Sequence, residues 1–255
     1  MTVIAVFNQK GGVGKTTTVL NLAAGMARMG RAPACIDLDP QAQLSAALGV
    51  IAQQGDESAY GLFQRSRTLA ELLKTRPNGI AIVPAHIELA KVETLYGKGY
   101  NAINKLNASF QTERAAGIET PWIIDCCPLV GVLSLNAIFA SDGVLVPISA
   151  DYLSMNGAVQ ISKTLHALEQ VLKRRVPRRY VVTRFDKRRG MSADILQTAR
   201  QAFGADVCAT VISENVSLAQ SPAQQQDIFA FAPSSHGAQD YAALLAELLA
   251  DGFIK

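Results

Sequence analysis

The 255 residues are 49% hydrophobic, 18% charged and 6% aromatic, which gives enough apolar content for a packed core and too little charge for a disordered chain. Polar or charged residues interrupt every apolar run well short of the roughly 20 residues that span a bilayer. The opening Thr2-Val3-Ile4-Ala5-Val6-Phe7 shows no basic region or cleavage site, which argues against a secretory leader. Formal net charge is only +3. Cys35, Cys126, Cys127 and Cys208 form neither a CxxC pair nor a zinc-spaced cluster, and are expected as reduced thiols in a cytoplasmic protein.

In chain order, short apolar runs alternate with helical patterns. Residues 3–7, 34–38, 80–83, 122–125, 144–148, 180–183 and 207–212 read as seven strands. Their runs are continuous, as parallel strands covered on both faces require. Helical stretches fall between them, including 15–29, 153–175 and 192–203. Such βα alternation predicts an α/β fold with a doubly wound, mostly parallel sheet of about seven strands and ligands at their carboxyl ends. Residues 55–117 are the least regular part and are expected to carry helical insertions on the rim. No repeat, low-complexity tract or Pro/Gly linker divides the chain, so residues 1–255 are expected to form a single domain.

The strongest local signal follows the first strand: Asn8-Gln9-Lys10-Gly11-Gly12-Val13-Gly14-Lys15-Thr16-Thr17-Thr18. Strand, glycine-rich turn and helix start stand in the order a phosphate cradle needs. Glycines let successive N–H groups turn inward, and the helix N-terminus adds positive potential. Gly11, Gly12, Val13, Gly14, Lys15, Thr16 and Thr17 are therefore the expected nucleotide-binding residues. Lys15 would reach the β and γ phosphates, and the Thr16 hydroxyl would sit on Mg²⁺. The loop departs from G-x-x-x-x-G-K-[ST] at its first glycine, where Gln9 stands, followed by a second lysine, Lys10. Two acidic strand ends accompany it. Cys35-Ile36-Asp37-Leu38-Asp39-Pro40-Gln41 carries two acids on one side of the strand. Trp122-Ile123-Ile124-Asp125 is an apolar strand ending in an acid that would hold Mg²⁺ through water.

With Lys10 ahead of the glycines, the loop resembles that of the deviant Walker A ATPases, the P-loop NTPase family that includes ParA, Soj, MinD and the nitrogenase iron protein. The likeness to the ParA/Soj branch covers nearly the whole chain. Ile82-Val83-Pro84-Ala85 with Ile87-Glu88-Leu89-Ala90, Gly131-Val132-Leu133-Ser134-Leu135-Asn136-Ala137, and Pro233-Ser234-Ser235-His236-Gly237-Ala238-Gln239 are similar to family segments. With no helix-turn-helix segment ahead of the first strand, the chain resembles the short form. The resemblance implies slow, Mg²⁺-dependent hydrolysis of ATP to ADP and phosphate. It implies that Lys10 crosses a nucleotide-sandwich homodimer to the partner's phosphates, acting as an arginine finger does. It assigns Asp39 to orienting the attacking water, Asp37 to the Mg²⁺ shell with Thr16 and Asp125, and Thr183 and Arg184 to the adenine. It also implies a ParB-like or other adaptor protein that stimulates hydrolysis. Two departures accompany it. The family's double proline is replaced in Cys126-Cys127-Pro128, and two arginines of chromosomal relatives, at least one a DNA contact, align with Glu214 and Ser217.

The net charge hides a concentration. Nine basic residues lie between Val171 and Gly190 with one acid, Asp186, so that window carries +8 and the rest of the chain −5. Arg188, flanked by Lys187 and Arg189, aligns with the family's other DNA-contacting arginine. With Lys173, Arg174, Arg175, Arg178 and Arg179 these are expected to form a patch that neutralises duplex phosphates without reading bases. A solvated helix end and loop is the alternative.

The expected function is an ATP-dependent dimerising switch that binds DNA non-specifically and partitions or positions a cargo: a plasmid, a chromosome origin or a large protein assembly. The expected location is the cytoplasm, on the nucleoid when ATP is bound. A MinD-like membrane switch is one alternative, but it needs a basic amphipathic C-terminal helix. Residues 244–255 hold two acids and one lysine, so no stable membrane association is expected. A metal-cluster carrier would need the missing CxxC, and a ligase a small-substrate site that the sequence does not display.

Overall fold

A computed structural model describes residues 1–64, 67–95 and 99–255. Seven strands form one sheet: β1 (Val3–Val6), β2 (Ala34–Asp37), β3 (Lys74–Thr75), β4 (Ala81–Val83), β5 (Trp122–Asp125), β6 (Gly143–Ser149) and β7 (Arg178–Thr183). Their order is β3-β4-β2-β5-β1-β6-β7. Every pairing in it is parallel except β3–β4. Six helices of nine residues or more lie among the described residues: α1 (Lys15–Arg28), α2 (Lys105–Ala115), α3 (Val132–Ala140), α4 (Tyr152–Leu172), α5 (Gly190–Phe203) and α6 (His236–Ala250).

Successive strand residues enter two apolar layers. Val3, Ala5, Ile36, Ile124, Val146 and Val182 pack into one, with side chains of α2, α3, α4 and α5. Ile4, Val6, Cys35, Ile123, Leu145 and Val181 pack into the other, with α1 and α6. Burial on both faces is why these strands lack polar alternation.

The expected strand at 207–212 is a correction. Cys208 N–H donates to the Tyr180 carbonyl and Ile212 N–H to that of Val182, both at 2.8 Å, so four residues here advance past two of β7. The intervening N–H groups of Ala209 and Thr210 turn instead to the Glu247 carboxylate of α6, at 2.6 and 2.8 Å. That leaves isolated bridges in place of a ladder. The seventh strand is β3, an exposed two-residue edge with no apolar run. The irregular rim holds short helices as expected, among them Tyr60–Gln64, Leu69–Leu72 and Val92–Leu95. Parts of that stretch, residues 65–66 and 96–98, lie outside the described residues.

The fold also divides the basic window. Lys173, Arg174 and Arg175 precede β7, and Arg178 and Arg179 open it, whereas Arg184, Lys187, Arg188 and Arg189 follow it. A six-residue strand of roughly 17 Å lies between the two groups. The single patch is corrected to two clusters at opposite ends of the sheet.

Candidate nucleotide site and basic surface

Three chain segments meet at the carboxyl ends of β1, β2 and β5. Gly12 and Gly14 have φ of 76° and 88°, left-handed backbone that a Cβ disfavours. They turn the loop into α1, which no side chain caps. Its first N–H groups and the positive end of its dipole are thus available to an anion. Lys15 Nζ donates to the Lys10 carbonyl at 3.0 Å. Burial lowers the Lys15 pKa, opposed by Asp125.

Thr16 Oγ1 donates to Asp125 Oδ2 at 2.7 Å. The other oxygen, Asp125 Oδ1, is buried without a partner. Burial and the neighbouring Asp37 push the Asp125 carboxyl up, a charge problem that a cation resolves. A threonine hydroxyl, an orphaned carboxylate oxygen and a nearby lysine fit Mg²⁺ together with nucleotide phosphate oxygens.

Asp37, expected in the metal shell, is engaged by protein donors. Ser45 donates to its Oδ2 from N–H and Oγ, at 2.9 and 2.7 Å, and Asp39 N–H donates to Oδ1 at 3.1 Å. Protein groups therefore hold both oxygens, while burial pushes the carboxyl up to about 6. Asp37 fixes the turn that carries Asp39. The half-buried Asp39 accepts from Gln41 N–H at 2.9 Å.

A cavity of about 530 Å³ covers this loop, with Asp39 on its wall, Cys127 and Leu129 on another side, and Ile87 and Ala90 beyond. A second, of about 290 Å³, shares Gly12, Gly14 and Thr17 with it and extends to Thr183, Arg184, Glu214 and Tyr241. The shared residues place the two cavities side by side, as a phosphate lobe and a candidate nucleoside lobe. Thr183 lines the second lobe, but its buried hydroxyl donates to the Val13 carbonyl at 2.8 Å and braces the phosphate loop. Arg184 is exposed and donates to Glu214 at 3.1 Å.

Lys10 Nζ pairs with Asp151 Oδ1 at 2.6 Å. Asp151 caps α4 and accepts from Ser154 N–H and Oγ, each at 2.9 Å. Burial works against ionisation, but these donors outweigh it and hold Asp151 well below the usual carboxylate range. Within one chain, Lys10 is held on Asp151.

The basic cluster at the start of β7 is partly structural, which corrects Arg178 as an expected DNA contact. Arg178 is buried, ion-paired with Glu169, and donates to the Val176 carbonyl at 3.2 Å. Arg179 donates to Asp251 at 2.7 Å and to the Ala205 carbonyl at 2.8 Å. Arg174 donates to the carbonyls of Phe139 and Ser141 at the end of α3, where the helix dipole favours a cation. Lys173, Arg174 and Arg175 are exposed. At the far end, Lys187, Arg188 and Arg189 are exposed too. Arg188 grips Asp186 through Nε and Nη2 at 3.0 Å each, and Arg189 lies 3.4 Å from Asp186 and 3.7 Å from Glu214.

Sequence reasoning missed Asp151, Ser45, Cys127 and the rim residues Ile87 and Ala90. Asp151 had a legible signal, an acid three residues ahead of Ser154 at a helix start. Cys127, standing in a double-proline position, is a buried thiol at the phosphate lobe with its pKa pushed up to about 11 by burial. All four cysteines are buried and free.

A family model described as an AAA domain matches residues 1–177. A chromosome partitioning protein ParA of Caulobacter vibrioides is 32% identical over 249 residues, 97% of this chain and 93% of that protein. A chromosome-partitioning ATPase Soj of Thermus thermophilus is 35% identical over 97% of this chain and 95% of its own. Among solved structures, a cobyrinic acid a,c-diamide synthase from Mycobacterium smegmatis with bound ADP and magnesium gives a TM-score of 0.83 at 29% identity, covering 98% of this chain and 94% of that one. Sequence likeness across almost the full length, joined to the second-lysine phosphate loop on a parallel sheet, establishes that the chain belongs to the ParA/Soj family of partitioning ATPases.

Proposed function

We propose that residues 1–255 work as one ATP-dependent switch, dimeric and bound to duplex DNA with Mg²⁺–ATP, and released after slow hydrolysis that a ParB-like or other adaptor stimulates. The observation that carries the reading is the Thr16–Asp125 pair, with its orphaned carboxylate oxygen beside Lys15. The neighbour that binds ADP and magnesium supports the same cofactors here. Mg²⁺ supplies neutralisation of the β and γ phosphates. The glycine loop and the start of α1 hold those phosphates, Lys15 balances their charge, and Asp39 orients the attacking water. Lys10 exchanges Asp151 for the partner's phosphates, so the pair seen within one chain opposes hydrolysis until two chains meet. DNA contacts come from Lys187, Arg188 and Arg189, while Thr183 and Arg184 line the cavity that takes the adenine. The cargo is a plasmid, a chromosome origin or a protein assembly, and the switch acts in the cytoplasm on the nucleoid. No helix among the described residues is long and apolar enough to cross a membrane.

Light scattering after size exclusion tests the cycle: a dimer is expected with ATP and a monomer with ADP. Lys10→Ala should lose the ATP-dependent dimer and reduce turnover by at least about tenfold. Unchanged turnover contradicts a role for Lys10 in trans. A second reading, ATP-driven amide formation, draws on the name of the M. smegmatis neighbour. Steady phosphate release with ATP as the sole substrate favours the switch.

A further inference from the structure

Helix α3 begins directly after the loop that follows Asp125, and its N-cap is Gly131, which has no side chain to receive the first helical N–H groups. Those groups are satisfied from elsewhere in the chain. Glu93, in the short rim helix Val92–Leu95, accepts from Val132 N–H at 2.8 Å and from Leu133 N–H at 3.1 Å, one oxygen to each. A carboxylate there gains from charge-assisted bonding and from the helix dipole. The approach requires glycine at 131: an added Cβ would lie 2.2 Å from Glu93 Oε2.

The same two segments both line the phosphate lobe. Cys127, Pro128 and Leu129 come from the loop that Glu93 anchors, and Ile87 and Ala90 come from the rim stretch that leads into Glu93. The loop is held at its start where Cys126 N–H donates to the Val6 carbonyl at 3.3 Å. At its far end Gly131 N–H donates to Ser134 Oγ at 3.0 Å, and the Glu93 carboxylate ties the next two residues to the rim.

We infer that Glu93 is a positioning residue for hydrolysis: by clamping the start of α3 to the rim, it sets the distance between the two segments that line the phosphate lobe. The inference rests on the reading of this lobe as an ATPase site. Glu93 is not among the residues that line the lobe, and it acts through the loop 127–131. Glycine loop, Lys15, Thr16 and Asp125 bind nucleotide without it, so its loss affects turnover and spares affinity.

The test is steady-state phosphate release together with fluorescent-ADP binding, on the full chain carrying Glu93→Ala, Glu93→Gln or Gly131→Ala. Glu93→Ala is expected to lower kcat by about tenfold with KM and ADP affinity within about twofold of wild type. Glu93→Gln, which keeps one acceptor oxygen for one N–H group, should fall between the two. Gly131→Ala, which displaces the carboxylate from the other side, should reproduce the kcat defect. Glu93→Gln with wild-type kcat overturns the inference, as does a kcat loss matched by an equal loss of ADP affinity. If Glu93→Ala does not fold, Glu93→Gln and Gly131→Ala decide the matter alone. Wild-type protein that releases no phosphate overturns the ATPase reading, and this inference with it.

Discussion

At the start of β7, Arg178 and Glu169 face each other with 5% and 15% of their side chains exposed, whereas at its end Arg188 is 88% exposed while it grips Asp186. Arg174 and Arg179 extend the first pattern by tying α4 and β7 to carbonyls and to Asp251. Arg189 and Arg184 extend the second, sharing Glu214 at the mouth of the nucleoside lobe. Two clusters of similar composition therefore perform different physical tasks. One ties the nearly buried Glu169 and several backbone carbonyls to guanidinium groups. The other keeps hydrated guanidinium groups on a surface beside the nucleotide site, where a polyanion can displace the weak, exposed pairing.

Substitutions separate the two clusters by what they damage. Arg178→Met strands a nearly buried Glu169 and should lower stability by about 3 kcal/mol in urea unfolding, with no selective loss of DNA affinity. The same pair sets a pH dependence. Burial would raise the Glu169 pKa, but the Val176 N–H and Arg178 outweigh it, so the folded value lies below the ordinary 4.5. Ionised Glu169 thus stabilises the fold above that pH, and the contribution fades as pH falls through the lowered value. Arg178→Met should flatten this part of the acid limb; an unchanged acid limb would contradict the assignment.

The exposed cluster predicts the opposite outcome. Lys187→Glu with Arg188→Glu should weaken ATP-dependent duplex binding by about tenfold or more, while the unfolding midpoint stays near wild type because exposed sites contribute little to stability. The smallest effect belongs to Asp251→Asn, which frees partly exposed Arg179 from its carboxylate. Stability should fall by less than about 1 kcal/mol, and DNA affinity measured by anisotropy should not rise. A rise would place the start of β7 on the DNA surface after all.

The phosphate loop was legible because its chemistry is contiguous: glycines at the left-handed positions, then Lys15 and Thr16, in one short run. Asp125 was legible because it ends an apolar strand aligned with that loop. Asp151 and Glu93 act on groups about 141 and 40 residues away in sequence, so a local pattern marks Asp151 as a helix cap but reveals neither long-range partner. The family resemblance implied a metal-shell role for Asp37; the Ser45 and Asp39 donors that engage its oxygens appear only in the fold. The 207–212 segment has strand-like composition, but Glu247 takes two of its N–H groups. Charge density misled for a similar reason. A window counts Arg178 and Arg188 alike, while the intervening strand sends them to opposite ends of the sheet.

The most direct test of the switch is a salt titration of duplex-DNA binding with ATP and with ADP. It compares wild type, Lys187→Ala/Arg188→Ala, and Lys173→Ala/Arg175→Ala. The account predicts steep, salt-sensitive binding with ATP alone. Its slope of log affinity against log salt should become shallower by about 0.9 for each phosphate that Lys187 and Arg188 no longer neutralise. The Lys173–Arg175 variant should keep the wild-type slope. Equal binding with ADP, or a slope that falls only when Lys173 and Arg175 are removed, would contradict it.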